Sequence, residues 1–460
     1  MATKALREVL AGRCEFRSHT GEMAVVLLLS LGPVLLWRPG ACGAGEAKPA
    51  RTVEIATSLG DACSSGSVVI WKHDGKGGYD RVFEQEGLYG FPGVTIGDVD
   101  GDGIGDVVAC SKGGSYLISH KKDGGFSSRK IDEYTGQTQA VAVGDVNANG
   151  RNEIVIVEGR TKAEPFNTRL HRYSLRDDGT FDKVTWFTPH IGVDDILIAD
   201  LDGDHDQEMF FGSPYGMTIL RERGNVMQVV EAMVEENLPG PMLNTVQRKY
   251  RDQCGYEGDL KPVLAEGLGN PKRLAFGDLM GGGSRCIAIP GSRGRLQILR
   301  HTTGKGYESV YVTPTWFYDT RDEHGDEWPA SCDIGDALND GRNVCVAGSN
   351  KFMIFGYDPT SGIFSRIWEG QRLTTEERSK ARIWDLRIGD PDNDGRKEIL
   401  YRTLGGLLSE EKDDRGYTRL WDSWAVKENK GRGDLDFQDS WESGRLKGTM
   451  RIATGDVDGR

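Results

Sequence analysis

Short bursts of valine, isoleucine, leucine and phenylalanine alternate with polar turns rich in glycine and aspartate from about residue 52 to the end of this chain. Apolar runs of four or five residues, such as Val107 to Cys110 and Ile154 to Val157, predict buried β-strands. Between them, turns with Gly or Asp followed by an aromatic residue recur at 73–79, 122–126, 177–181, 303–307 and 360–364, and these predict further short strands. One phrase organises the pattern: an apolar stretch, Gly-Asp, a loop of acids and glycines, and a second apolar stretch. It occurs seven times, with first acids Asp98, Asp145, Asp200, Asp278, Asp336, Asp390 and Asp456, and with Ala199 replacing the glycine once. The spacings of 47 to 78 residues leave room for four strands per unit. Such units repeated around an axis predict an all-β fold, a seven-bladed β-propeller of four-stranded blades. Thr52 to Thr57 resembles the strand that follows the loop elsewhere. The strand near Met450 to Thr454 is therefore expected to complete the sheet begun by residues 52 to about 92, closing the ring by pairing N- and C-terminal strands. A chain truncated at Arg460 would also end in such a broken copy.

The longest unit contains an insertion at about 226–272, in which Val226 to Asn237 has helical spacing; it could cap one face, and packing is its expected role. The apolar run Ala24 to Trp37 is 14 residues long, short of the about 20 that a membrane span needs. Basic residues precede it and small residues follow at Ala41 to Ala44, so residues 1–44 read as a signal peptide and 45–460 as a single propeller domain. The mature chain is then secreted or extracytoplasmic, with no membrane span. Removing the leader takes away five basic and three acidic residues, so the net charge moves from −13 to −15. That balance excludes nucleic acid as a natural partner. Six cysteines remain (Cys63, Cys110, Cys254, Cys286, Cys332 and Cys345), none with zinc-type spacing, and they read equally as disulfides or as buried thiols.

The acids gather where a cation would hold them. Asp98, Asp100, Asp102 and Asp106 alternate around Gly103, so that a tight turn points their oxygens inward, as Ca²⁺ with its six to eight oxygen ligands requires. Asp390, Asp392, Asp394 and Glu398 repeat the set. Asp200, Asp202, Asp204 and Glu208 do so with His205 at the glycine position, and Asp145, Asn147, Asn149 and Glu153 keep the oxygens but lose two charges. Met280 and Cys286, and Leu338 and Val344, replace ligands in the turns at 278 and 336, which are expected to keep the bend and drop the ion. Asp456 and Asp458 make half a site, to be completed by Glu54 if the ends meet. With a Kd on the order of 0.1 mM and extracellular calcium of roughly 1 mM, each good site adds about 1.4 kcal/mol, and three add about 4. Against a typical net stability of about 5 to 15 kcal/mol, such ions are structural clips.

These glycine-flanked DxDxDGxxD phrases resemble the FG-GAP or VCBS-type repeat of integrin α-subunit propellers and many secreted proteins, over nearly everything after residue 51. Phe-Gly stands only at 211–212, 276–277 and 355–356, and no Gly-Ala-Pro follows, which is closer to the VCBS-like branch. The resemblance implies a calcium-binding propeller whose work ranges over adhesion, carbohydrate binding, polysaccharide lyases and sugar dehydratases. Fold alone does not choose among these.

A ligand surface is expected on the loops at one end. Trp316, Asp319, Arg321, His324 and Trp328 combine aromatic faces with hydrogen-bonding groups suited to a sugar, although a solvated loop on two anchoring tryptophans is the favoured reading. Trp421, Trp424 and Trp441 form a second aromatic group. Arg432-Gly433-Asp434 spells an adhesion tripeptide that three residues reach easily by chance. No nucleophile with a base, zinc signature or phosphate loop stands out; His190 and His324 are the histidines in suggestive settings. The sequence therefore reads as a monomeric, calcium-stabilised module that binds a carbohydrate or protein ligand, with no catalytic residue assigned. A lyase or dehydratase on the same propeller is the alternative.

Overall fold

In the computed structural model, residues 54–457 are described apart from 61–64, 160–167, 189–192, 269–272, 292–294, 315–330, 371–381, 413–417, 430–434 and some single or paired positions. The chain folds as an all-β propeller of small antiparallel sheets, each laid down in chain order. Five sheets stand apart, covering residues 138–188, 196–264, 275–312, 331–369 and 382–447. The other strands form one seven-stranded sheet, in the order Thr449–Gly455, Glu54–Leu59, Ser65–His73, Tyr79–Gly97, Asp106–Lys112, Gly114–His120, Phe126–Asp132. Five separate blades thus replace the seven expected. The reason lies in Tyr79–Gly97, a strand without a break that serves two ladders. Its first part, to Tyr89, pairs with Ser65–His73 and its last part, from Gly93, with Asp106–Lys112. The register shifts between them, where Gly90 takes a left-handed φ of 76° and Pro92 has no N–H to donate.

Apolar burial runs between successive groups of strands. Among the described residues, seven clusters of buried side chains each join two such groups: Val108, Cys110 and Leu117 meet Ile154, Ile156 and Tyr173, and so on along the chain. The last brings Leu400 and Val426 against Ile55, Val69 and Ile452. Glu54–Leu59 pairs antiparallel with Thr449–Gly455, Thr57 opposite Ile452.

The repeated Gly-Asp has a packing cause. Innermost strands approach so closely that a Cβ on Gly97 would lie 2.6 Å from Val143, and one on Gly144 would lie 2.5 Å from Ile198. The same relation recurs from Gly277 to Ile334 and from Gly455 back to Ile96. Each time, the side chain filling the space stands just before the next unit's own glycine or, once, before Ala199.

The insertion differs from its reading. Val226–Glu235 is a β-strand, paired with Gly216–Arg223 through a two-residue hairpin in which Gly224 and Asn225 have φ of 58° and 64°. Two left-handed residues in succession match the twist of the flanking strands, and Val226, Val229, Val230 and Val234 favour the extended chain, so turn chemistry overrides the apparent helical spacing. The helix is instead Gly240–Cys254, entered at Pro239 and ended by left-handed Gly255. It docks through buried Tyr250, whose hydroxyl bonds that of Thr218. Cys110, Cys254, Cys286, Cys332 and Cys345 are free thiols, four of them buried.

Gly144→Ala should lower unfolding free energy by about 1–3 kcal/mol, since the added methyl overpacks the strand against Ile198. Gly240→Ala, with open space at the start of the helix, should leave it unchanged or raise it. Equilibrium urea unfolding of both variants measures the contrast.

Candidate metal centre and its turns

The first aspartate of each turn folds the turn before it can hold anything else. Asp98 accepts the N–H groups of Gly101 and Gly103 at 2.7 and 3.0 Å. Asp145, Asp336 and Asp390 likewise accept Gly150, Gly341 and Gly395 at 2.8, 2.9 and 3.0 Å. Asp278 accepts Gly283 at 2.7 Å although its turn has lost other acids. This explains why an aspartate stands first in every copy. His205 takes the left-handed position, with φ 76°.

The closing acid is the buried one. Asp106, Glu153, Glu208 and Glu398 are all at most 4 % exposed. One carboxylate oxygen of the first three accepts the N–H of the turn's second residue: Val99 to Asp106 at 2.9 Å, Val146 to Glu153 at 3.2 Å, Leu201 to Glu208 at 2.8 Å. In the Asp390 turn that second residue is Pro391, which has no N–H. Glu398 Oε2 is accordingly buried without a hydrogen-bond partner. Burial first, then neighbouring Asp392, Asp394 and Asp390, pushes its carboxyl up to about 9. A buried carboxylate facing two others with nothing to answer it fits a cation.

Among the described residues, three groups bring one oxygen from each of three acids within 4.8 Å of one another: Asp98, Asp100 and Asp106; Asp200, Asp202 and Glu208; Asp390, Asp392 and Glu398. Asp102, Asp204 and Asp394 fall outside these groups. They accept the N–H two residues on, at 2.8, 3.0 and 2.8 Å, and so hold the turn's exit.

The expected sites at 200 and 145 are answered from within the protein. Arg221 reaches Asp202 at 2.8 Å, Asp204 at 2.9 Å and Glu208 more closely still, while Arg285 lies 3.2 Å from Asp200. In the Asp145 turn, the amides of Asn147 and Asn149 donate to Glu153 at 2.7 and 3.1 Å. At the chain ends, Val457 donates to Glu54 Oε2 at 3.0 Å, so Glu54 takes the closing position, and Lys72 lies 3.3 Å from it. Asp458 is outside the described residues. Arg221 sits in a strand with no motif to announce it; Pro391 was visible, but its meaning needed the hydrogen bonds of the other turns.

Trp316, Asp319, Arg321, His324 and Trp328 lie outside the described residues, as do His190, the tripeptide at 432–434 and the side chains of Trp421 and Trp424. Trp441 packs edge-on against Trp71 and Tyr79, centroids 6.2 and 5.0 Å away, and so joins the core. Buried His171 holds Glu158 at 3.1 Å and Thr185 at 2.9 Å. No helix among the described residues is long and apolar enough to cross a membrane.

A profile of the FG-GAP-like repeat family matches residues 98–156, which hold the first two turns. No curated protein matches the chain by sequence. Among solved structures it is similar to a candidate 6-phosphogluconolactonase from Bacteroides uniformis, at 10 % identity over 88 % of this chain and 99 % of that one, with a TM-score of 0.50. An Agrocybe aegerita lectin described as recognising non-reducing terminal N-acetylglucosamine is 15 % identical over 89 % and 96 %, with a TM-score of 0.48. Sqt1 of Saccharomyces cerevisiae is 10 % identical over 82 % and 93 %, at 0.45. At such identities the likeness is one of fold.

Because Glu398 is raised from 4.5 to about 9, the cation-free fold holds a proton that the unfolded chain releases, and stability is lost as pH rises through that window. Thermal melts in chelator should therefore fall between about pH 5 and 9, and added calcium should restore them most at the alkaline end. Glu398→Gln should flatten the chelator profile and abolish much of the calcium response. Titration calorimetry should count one more calcium bound to Arg221→Gln than to the parent, because removing the guanidinium frees the Asp200 turn.

Proposed function

We propose that this chain, an FG-GAP-repeat β-propeller protein, is a secreted, calcium-stabilised module that binds a carbohydrate or protein ligand without altering it. Pairing of Glu54–Leu59 with Thr449–Gly455 closes the ring of blades. Support comes from the seven apolar clusters and from the glycine contacts that run from Gly455 back to Ile96. Residues 1–44 act as the leader and 45–460 as the propeller, a monomer with an insertion at about 226–272.

One observation carries the calcium reading: buried Glu398 Oε2 faces Asp390 and Asp392 with no donor, because Pro391 withholds one. An all-oxygen set in a tight turn suits calcium better than a softer metal. The Asp98 turn is the second site, with Asp100 held above its ordinary range by burial and by Asp102, and Asp106 pushed up to about 6 by burial. A clip of about 1.4 kcal/mol works at the roughly millimolar calcium found outside cells, which agrees with the leader.

A glycan array and a panel of extracellular proteins, probed with the full mature chain in calcium and in chelator, test this. Retention of an unaltered ligand in calcium, with loss in chelator and a fall in Tm, is the expected result. Recovery of a sugar with a new double bond would replace it by the enzymatic reading, and an unchanged Tm in chelator would remove the calcium clips.

A further inference from the structure

The two turns that dropped the ion stand on neighbouring sheets and border the same cavity, of 780 Å³. In both, the first aspartate survives because it folds the turn, as the bond from Gly283 to Asp278 and that from Gly341 to Asp336 make plain. What changed is the third position, where Asp100, Asp202 and Asp392 place ligand oxygens in their own turns. Here that position holds Met280 and Leu338, and both line the cavity. The closing acid is gone as well, replaced by buried Cys286 and Val344. Neither turn now buries a carboxylate that an ion must answer, and both offer apolar surface instead.

Ile367, 42 % exposed on the outer strand Ile363–Glu369, and Leu435, just ahead of the strand Phe437–Glu442, extend that surface. Around the rim stand the carboxylates of Asp278, Asp340 and Asp358 against a single guanidinium, Arg342, which is paired with Asp340 at 3.0 Å. The lining therefore keeps a charge of about −2 once that pair is set aside. Tyr357 is the one aromatic side chain among the lining residues, and a single ring is a poor platform for stacking sugars. Met is flexible and polarizable, so it adapts to apolar side chains of differing shape.

We infer that this cavity binds a short peptide segment in which apolar residues alternate with lysine or arginine, apolar side chains on Met280, Leu338 and Ile367 and cationic ones at Asp278 and Asp358. The volume lies within the range of about 300–1,000 Å³ typical of small-molecule pockets, room for a few side chains of such a segment. This rests on the reading of the chain as a binding module and names the ligand class and the place.

The probe is a fluorescein-labelled hexapeptide of alternating leucine and lysine, followed by fluorescence anisotropy on the full mature chain in calcium. Two control peptides replace leucine by serine or lysine by glutamate, and N-acetylglucosamine serves as a sugar competitor. The leucine-lysine peptide should bind and both controls should bind about tenfold more weakly or worse. Leu338→Asp and Met280→Asp should each weaken it about tenfold, although each adds a negative charge that would tighten a merely electrostatic contact. Ile367→Ser, at an exposed position, should weaken it with Tm unchanged and decides the matter if the aspartate variants misfold. Equal binding of the leucine-lysine and serine-lysine peptides, tighter binding by Leu338→Asp, or displacement by N-acetylglucosamine alone overturns the inference. If the peptide fails while the glycan and protein panel yields a ligand, this inference falls and the binding-module reading stands; if both fail, both fall.

Discussion

Every turn of this fold that buries a closing carboxylate must answer it, and how it does so sorts the repeats into kinds. Taking a carboxylate out of water costs several kcal/mol unless donors or a positive charge replace the water. A backbone N–H supplies part of the answer at Val99, Val146, Leu201 and Val457. The rest comes from amides at Glu153, from Arg221 at Glu208 and from Lys72 at Glu54. The turns at 278 and 336 avoid the problem by substituting Cys286 and Val344. At Glu398 even the N–H is missing, so there the need for an external cation is greatest. One motif has thus been solved in several ways, and only some of them call for an ion.

The repeat, the strand content and the turn boundaries could be read from sequence because they follow from local rules: period, glycine and aspartate. Asp278 and Asp336 persisted as turn formers, as expected. The sites were less legible, because a ligand set is defined as much by what else reaches it as by its own spacing. Asp202 and Glu208 match the calcium pattern, and nothing nearby in sequence reveals that Arg221, on a later strand, lies between them. The hairpin at Gly224-Asn225 was missed for a related reason: helical spacing over twelve residues was weighed above two residues able to take a positive φ. The joining of the first strands into one seven-stranded sheet was hidden because Gly90 and Pro92, usually chain breakers, bend the strand Tyr79–Gly97 without ending it.

The turns do not act singly. The residue before the closing position reaches the previous turn in most copies: Asn152 donates to the Asp98 carbonyl at 2.7 Å, Gln207 accepts from Asp145 N at 2.8 Å, and Asn343 donates to the Asp278 carbonyl at 3.1 Å. Asn339 and Lys397 exchange two hydrogen bonds, of 3.1 and 2.6 Å. At the ends of the chain, Gly105 donates to the Asp456 carbonyl at 2.7 Å. A belt of hydrogen bonds therefore runs from turn to turn, alongside the close glycine contacts of the inner strands.

That belt gives an ion at one turn a route to the next. The Asp390 turn is tied through Asn339 to the turn at 336, and that turn through Asn343 to the one at 278, the two that wall the cavity. An ion that fixed Asp390, Asp392 and Glu398 would hold Lys397 and so narrow the positions open to Asn339 and its neighbour Leu338. Ordering the wall in advance removes part of the entropy that a ligand otherwise loses on binding. By linkage, a ligand that ordered the same wall would tighten the ion to the same degree. Such an ion would act beyond its own turn, as one end of a mechanical connection whose other end is the wall of that cavity.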